Sequence, residues 1–460
     1  MSIEFSSTFL ANSIGSTPPK KEFLFSGFTS DTREIKPDFL FIALSGEARD
    51  GHDFIEQAIE KGATGILHRK NFPLASATAT SFAVNDTLIA YRLFAQAWRK
   101  QFSIPILVVA GSAGKTTTKE LLTAILRGKW KNVHQTQSSQ NGFTGIPATL
   151  LGLRKYHEAA VIEVGIDAPN TMEDHLEIVS PTGGLLTSIG EEHLEKLIDI
   201  ETVAKEEGKL FSYLEKHQGK TAINCDDPLI LKAAEKITTE KLFYGLKNLV
   251  KKTPFLLGEV DEKTQTLLIN SKNNFSLPLP LEGKHNASNL LGAVATALMA
   301  GLTTEEIAAG LKTFVPPSGR SEVHIWRNNI RIYCDTYNAN PLSVKMALEM
   351  FMQNAKNAAQ SFVCLGDMLE LGAKEEELHR ALAQDLLKYK PSHVLLFGSR
   401  MKFLEDELKK QGFSGYIKHF DSTEMLAHAL VKDAPSHSSI LLKGSRGMRM
   451  ERIWDLLQKS

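Results

Sequence analysis

Little is in excess in this 460-residue sequence, and each shortage removes a class of protein. Lysine plus arginine and aspartate plus glutamate number 53 each, so the formal net charge is zero. Nucleic-acid and membrane-surface proteins usually carry a basic surplus, and none is present. Cysteine is scarce: Cys225, Cys334 and Cys364 lie far apart with no CxxC spacing. They read as buried reduced thiols, which fits a reducing cytoplasm. No apolar run approaches the ~20 residues that cross a bilayer. The first residues, MSIEFSSTFLANSIG, hold Glu4 and no basic residue before Lys20, so the basic start of a signal peptide is missing. The expectation is a cytoplasmic protein with no membrane insertion and no nucleic-acid partner.

What is present is an ordinary globular composition, 42% hydrophobic, which argues against disorder. At ~100–200 residues per domain the chain is too long for one core. Short apolar runs alternate with helical patterns along it. FLFIALSG (39–46), GILH (65–68) and FAV (82–84) read as strands, FIEQAIEKGA (54–63) and TLIAYRLFAQAWRKQ (87–101) as helices. IPILVVAG (104–111), AAVIEVG (159–165) and GGLLTSIG (183–190) are apolar strands closing on glycine. Strand–helix alternation predicts a mostly parallel sheet covered by helices. VPPSGR (315–320) marks a boundary. Beyond it NIRIYCD (329–335), SFVCLGD (361–367), HVLLFG (393–398) and SILLKG (439–444) predict a second, smaller α/β unit.

The strongest local signal is VVAGSAGKTTTKE (108–120). A strand runs into Gly111, Ser112, Ala113 and Gly114, and a helix opens at Lys115, Thr116 and Thr117. Glycines let backbone N–H groups wrap an anion, and the helix start adds partial positive charge. Lys115, read as exposed in the loop, can reach the β- and γ-phosphates, and the Thr116 hydroxyl can ligate Mg²⁺. Val109 stands where the longer eight-residue pattern has glycine. Glu163 ends an otherwise apolar strand, where a carboxylate is costly unless metal-bound, paired or held by N–H groups. His193 follows a strand end, in a structural or a ligand role. In a helix over 200–214, Val203, Glu207, Leu210, Phe211 and Leu214 share one face, with Lys205 and Lys209 opposite. Glu207 therefore interrupts an apolar stripe and needs a metal or a salt bridge.

Taken together, these segments resemble the Mur ligases along nearly the whole chain. TSDTREIKPDFLFIALSGEARDGHDFIEQAIEKGA (29–63) is similar to the family's UDP-sugar-binding domain, and GSAGKTTTKE to its ATP loop. AVIEVG (160–165) and GEEHLE (190–195) resemble its two metal-ligand segments, and GKHNASNLLGA (283–293) its nucleotide-base segment. DTYNANPLSVKMAL (335–348), LGDMLELG (365–372) and LLKGSRGMRME (441–451) resemble its C-terminal signatures. The likeness is greatest to the members that add D-alanyl-D-alanine.

The resemblance implies three α/β domains. Residues 1–100 would form a small UDP-sugar-peptide-binding domain, 101–317 a central P-loop-type ATPase domain with a mostly parallel sheet, and 318–460 a Rossmann-like domain closing over ATP and the incoming dipeptide. It implies a monomer that uses ATP and Mg²⁺ to join D-alanyl-D-alanine to UDP-N-acetylmuramoyl-tripeptide in peptidoglycan precursor synthesis, through an acyl phosphate. Gly111 to Thr117 would bind ATP, with Lys115 and Thr116 on the triphosphate and Thr116, Glu163 and His193 on magnesium. Asn286 and Asn289 would hold the adenine side, and Arg320 and Asp335 would close over phosphate and ribose. Asn338 and Asn340 would meet the dipeptide, while Arg33, Ser45 and Asp50 would lie near the UDP-sugar peptide. The family's asparagine-rich segment is reduced here to TQSSQNGFTGIPATLL (136–151), which keeps Asn141. Ala113 stands where asparagine or serine is common. Glu207 stands where the family has a lysine that carries a carbamate, and its own charge would make bicarbonate unnecessary. Two rival readings remain, another ligase of the same superfamily, such as a folylpolyglutamate synthase or an adder of a different amino acid, and a degraded ligase that binds without turnover.

Overall fold

The computed structural model describes residues 5–46, 49–74, 78–246, 256–271 and 273–460. The chain divides into two compact units. The first comprises Met1–Ile106, His134–Ile162 and Asp174–Ser180; the second comprises Leu107–Val133, Glu163–Glu173 and Pro181–Ser460.

In the first unit, strands Gly27–Thr29, Phe39–Ile42, Ala63–Arg69 and Thr80–Val84 pair in chain order, all parallel. The helix expected over 54–63 is shorter, Ile55–Glu60. Gly62 turns the chain at φ 105°, and Ala63 already belongs to the next strand. Helix Thr87–Arg99 starts where the Asp86 side chain accepts the Ile89 N–H, and it buries Ala90, Tyr91, Phe94 and Ala95. At its end the buried Arg99 guanidinium donates to the Val179, Ser180 and Phe102 carbonyls at 2.6–2.8 Å. A buried charge is tolerated because every face of it is hydrogen-bonded.

The second unit contains two sheets. One runs Phe275–Pro278, Thr266–Asn270, Leu256–Asp261, Lys241–Leu246, Lys220–Asn224, Gly183–Leu186 and Ile106–Ala110, each strand beside the next. It is parallel from Leu256–Asp261 to Ile106–Ala110 and ends in antiparallel strands. Leu107 to Ala110 are all buried, as expected where helices cover both faces. Helix Lys284–Met299 packs on helix Lys115–Leu126 over this sheet. The antiparallel strands escaped the sequence reading because their apolar runs are short and one-sided.

The other sheet runs Glu322–Trp326, Ile330–Asp335, Ser439–Lys443, Ser361–Gly366, His393–Phe397 and Tyr416–Phe420, parallel except for its first strand. A core containing Tyr333, Phe351, Leu386 and Leu404 fills one face. A second core with Ile332, Phe362, Leu426 and Ile453 fills the other. The helix expected over 200–214 is two segments, Ile200–Glu207 and Lys209–Lys216, interrupted at Gly208.

Candidate active site

The strand Ile106–Ala110 delivers the loop Gly111–Gly114 to the start of helix Lys115–Leu126. Gly111 has φ 116°, and a Cβ there would sit 2.5 Å from Thr187 Oγ1. Gly114 has φ 86°, and a Cβ would sit 2.5 Å from Asn289 Oδ1. Only glycine fits both places. The loop is stapled to the segment after Gly183–Leu186. The Ser112 N–H donates to the Ser188 carbonyl at 2.7 Å. Ser112 Oγ accepts the Gly190 N–H at 2.9 Å, and the Ala113 N–H donates to Ser188 Oγ at 3.1 Å. Ala113 thus takes part through its backbone, and Thr117 is buried behind the loop.

Lys115 is not exposed, contrary to the sequence reading. Its Nζ turns back to the Gly111 carbonyl at 2.5 Å and lies 3.4 Å from Glu192 Oε2. Burial alone would depress its pKa, but Glu192, Glu207 and Glu163 outweigh that and hold it above its ordinary value. The Thr116 hydroxyl donates to Glu163 Oε1 at 3.1 Å, and Glu163 is fully buried. Glu207 is fully buried too; neither of its oxygens makes a full hydrogen bond, and the Gly111 N–H is a weak contact only. Burial first, then repulsion from Glu192, pushes its carboxyl well above the carboxylate range, with Lys115 opposing. Glu192 Oε1 is likewise buried without a hydrogen bond.

Among the described residues no three His, Cys, Asp or Glu side chains form a ready-made cage for a metal ion. The donors beside the loop are nevertheless all oxygens: the Thr116 hydroxyl and the Glu163, Glu192 and Glu207 carboxylates. The buried oxygens of Glu192 and Glu207 that lack hydrogen-bond partners, next to a phosphate-type loop, fit a hard cation such as Mg²⁺.

The loops of the second sheet lie on this loop within the same unit. Asn340 caps helix Pro341–Asn354, accepting the Ser343 N–H at 2.8 Å, and donates from Nδ2 to the Ser112 carbonyl at 3.1 Å. His193, at φ 51°, places Nδ1 2.6 Å from Glu370 Oε2 and Nε2 3.9 Å from Glu192 Oε2. Burial works against its charge, but Glu370 and Glu192 raise its pKa overall. Asp335 pairs with the buried Lys443 at 2.6 Å, and Lys443 also donates to the Asn338 carbonyl at 3.0 Å. The Arg320 guanidinium stacks 4.3 Å above the Tyr337 ring. Asn286 donates to the Glu282 carbonyl at 2.7 Å, and Asn289 reaches Asn286 Oδ1 at 3.4 Å.

Three sequence-family profiles match: "Mur ligase family, catalytic domain" over residues 25–97, "Mur ligase middle domain" over 109–297 and "Mur ligase, glutamate ligase domain" over 319–446. The UDP-N-acetylmuramoyl-tripeptide–D-alanyl-D-alanine ligase of Bacillus subtilis is 30% identical over 439 residues, covering 95% of this chain and 94% of that protein. The ligase of the same name from Synechocystis is 33% identical and covers 81% and 79%. The chain belongs to the Mur ligase family. The crystal structure of MurF from Acinetobacter baumannii matches at a TM-score of 0.88 and 25% identity, with both chains fully covered. The Thermotoga maritima MurF ligase, solved in complex with ADP, shares the fold at a TM-score of 0.79 and 23% identity, covering 94% and 97%. This Mur ligase therefore has the three-domain α/β architecture.

In this Mur ligase the second unit gathers Lys115, Thr116, Glu163, Glu207, Asn289 and Asn340 around the phosphate loop. In the first unit, Asp50 accepts the His52 N–H at 3.0 Å and meets His52 Nδ1 and Arg69 at 2.6 Å each. Ser45 Oγ donates to it at 3.1 Å, so Ser45 and Asp50 do come together. Burial opposes its ionisation, but these partners hold Asp50 at about 2. Arg33 is an exposed residue forked on Asp31 at 2.5–3.0 Å. The Asn141 N–H donates to the Ser139 carbonyl at 2.9 Å. Sequence reasoning passed over Glu192 and Lys443. Glu192 is one of three glutamates in GEEHLE, and nothing in that run marks it for burial. Lys443 lies inside the apolar run SILLKG, the same signal that singled out Glu163.

Replacing Asn340 by alanine removes both the helix cap and the tie to Ser112. The expected cost is about 0.5–2 kcal/mol, seen as a lower unfolding midpoint, together with a higher KM for ATP. An unchanged KM would detach Asn340 from the phosphate loop.

Proposed function

We propose that this chain joins the amine of D-alanyl-D-alanine to the terminal carboxylate of UDP-N-acetylmuramoyl-tripeptide, converting ATP to ADP and phosphate. The observation that carries this is the phosphate loop, with Lys115 and the Thr116–Glu163 pair, lying directly under the NANP loop of the second sheet. The names of its relatives in Bacillus and Synechocystis supply the substrates.

The chemistry balances in two steps. A tripeptide carboxylate oxygen attacks the γ-phosphorus, giving an acyl phosphate and ADP. The dipeptide amine then attacks the acyl carbon, loses its proton, and phosphate leaves with the original carboxylate oxygen. Lys115 balances charge on the transferring phosphoryl group, and the loop amides and helix start hold the phosphates in place. Thr116 and Glu163, with Glu192 and Glu207 beside them, would hold Mg²⁺, which neutralises phosphate charge when bound. Asn286 and Asn289 would face the adenosine, Arg320 and Asp335 would lie over phosphate and ribose, and Ser45, Asp50, Arg33 and Asn141 would serve the UDP-sugar peptide. His193 would contribute either as an ion ligand or through its pair with Glu370. Three domains, over 1–100, 101–317 and 318–460, would divide the labour in the cytoplasm, in a monomer.

Purified protein with ATP and Mg²⁺ should release ADP only when both UDP-tripeptide and D-alanyl-D-alanine are present. ADP release that ignores the dipeptide would contradict this reading.

A further inference from the structure

One recess of the second unit has Glu192 and His193 on one side. On the other are the loops 338–340, 369–371 and 445–447. These loops leave the carboxyl ends of three adjacent parallel strands, where open α/β sheets gather their ligands. The walls are fixed. Buried Ser445 accepts the Leu369 N–H at 2.9 Å and donates to the Ala339 carbonyl at 3.1 Å. Its own N–H donates to the Asp367 carbonyl at 3.0 Å, so one residue ties all three loops together.

The charges in the recess are divided. Glu192 and His193 are on the side of Lys115, where the acyl group would be activated. Glu370 is committed to His193 at 2.6 Å. Among the lining residues Arg446 is the only lysine or arginine. It is loosely held, 3.2 Å from Glu451 and 5.6 Å from the Tyr337 ring centre, with its side chain 65% exposed. Ala339, Leu369 and Leu371 add apolar surface suited to methyl groups.

A zwitterionic dipeptide needs two unlike receptors. Its amine belongs near the acyl phosphate, and its carboxylate needs a cation at the far end. We propose that Arg446 receives the terminal carboxylate of the incoming dipeptide and makes the site select for a free acid there. This assignment rests on the dipeptide ligation proposed above. A guanidinium fork binds a carboxylate bidentately, and turning from Glu451 to the ligand requires movement of one exposed side chain only.

The test compares D-alanyl-D-alanine with D-alanyl-D-alaninamide, which is neutral at that end. ADP release is measured at saturating ATP and UDP-tripeptide for the wild type, Arg446→Ala and Arg446→Lys. The wild type is expected to prefer the acid on the order of 10- to 100-fold in kcat/KM. Arg446→Ala loses most of that preference through a higher KM for the acid, with the KM for ATP and the melting temperature unchanged. Arg446→Lys recovers part of it. A wild type that turns over but prefers the acid no more than Arg446→Ala does overturns the Arg446 assignment. A wild type that releases no ADP with either dipeptide overturns the ligase reading itself.

Discussion

Lys115→Ala lowers ligation by on the order of 10³-fold or more, because one cation balances the charge of the transferring phosphoryl group. The structure adds a second consequence. Lys115 is also the counter-ion of Glu192, Glu207 and Glu163. Removing it leaves buried carboxylates uncompensated, at a cost of about 3–5 kcal/mol if all stay ionised. Glu207 is already disposed to take up a proton, which limits the loss. The variant is therefore expected to stay folded by circular dichroism, with a lower unfolding midpoint at pH 8 than at pH 6. ADP release near the wild-type rate would remove Lys115 from the chemistry.

Glu207→Gln is the second large effect. The side chain keeps its shape and loses its charge, and turnover is expected to fall on the order of 10²-fold, with a higher requirement for Mg²⁺. Wild-type turnover is expected to be indifferent to bicarbonate, because Glu207 carries a carboxylate of its own. Its stem is short, yet it lies within electrostatic reach of Lys115 and Glu192 and against the Gly111 N–H. Glu207→Lys is expected to work only when bicarbonate is supplied. Stability carries the same signature. The folded-state pKa of Glu207 is raised from 4.5 to about 8. Its contribution is thus fully present below pH 4.5 and is lost as pH rises toward 8. In metal-free buffer the unfolding free energy of the wild type should fall across that window relative to Glu207→Gln, by at most ~1.4 kcal/mol per pH unit. Several-fold stimulation by bicarbonate, or a Glu207→Gln variant like the wild type, would make Glu207 a structural carboxylate.

Much of the fold could be read from local pattern. The run ILVVA followed by KTTTKELLTAIL gave strand, loop and helix at the observed positions, since apolar continuity, glycine and helix propensity all point one way there. Glu163 and Glu207 were found as charges in apolar settings, and both are fully buried. Other features depend on contacts distant in sequence. Lys115 looked exposed because a lysine after glycine carries no sign of the three glutamates that draw it inward. The break at Gly208 was hidden by a continuous apolar stripe through Val203, Leu210 and Leu214. Asn338 and Asn340 were legible as a motif, but their ties to Lys443 and Ser112 bridge 105 and 228 residues. The recess around Arg446 is formed by three loops from separate strands, an arrangement that exists only once the second sheet has formed.

Activation of a carboxylate by phosphoryl transfer, followed by its capture by a dipeptide amine, fixes where each oxygen ends. UDP-N-acetylmuramoyl-tripeptide labelled with ¹⁸O in its terminal carboxylate tests it most directly. Incubation with ATP, Mg²⁺ and D-alanyl-D-alanine, followed by mass spectrometry, should show a UDP-linked pentapeptide formed in equal amount to ADP, with one ¹⁸O in each phosphate released. Unlabelled phosphate, or ADP formed without the pentapeptide, would contradict it.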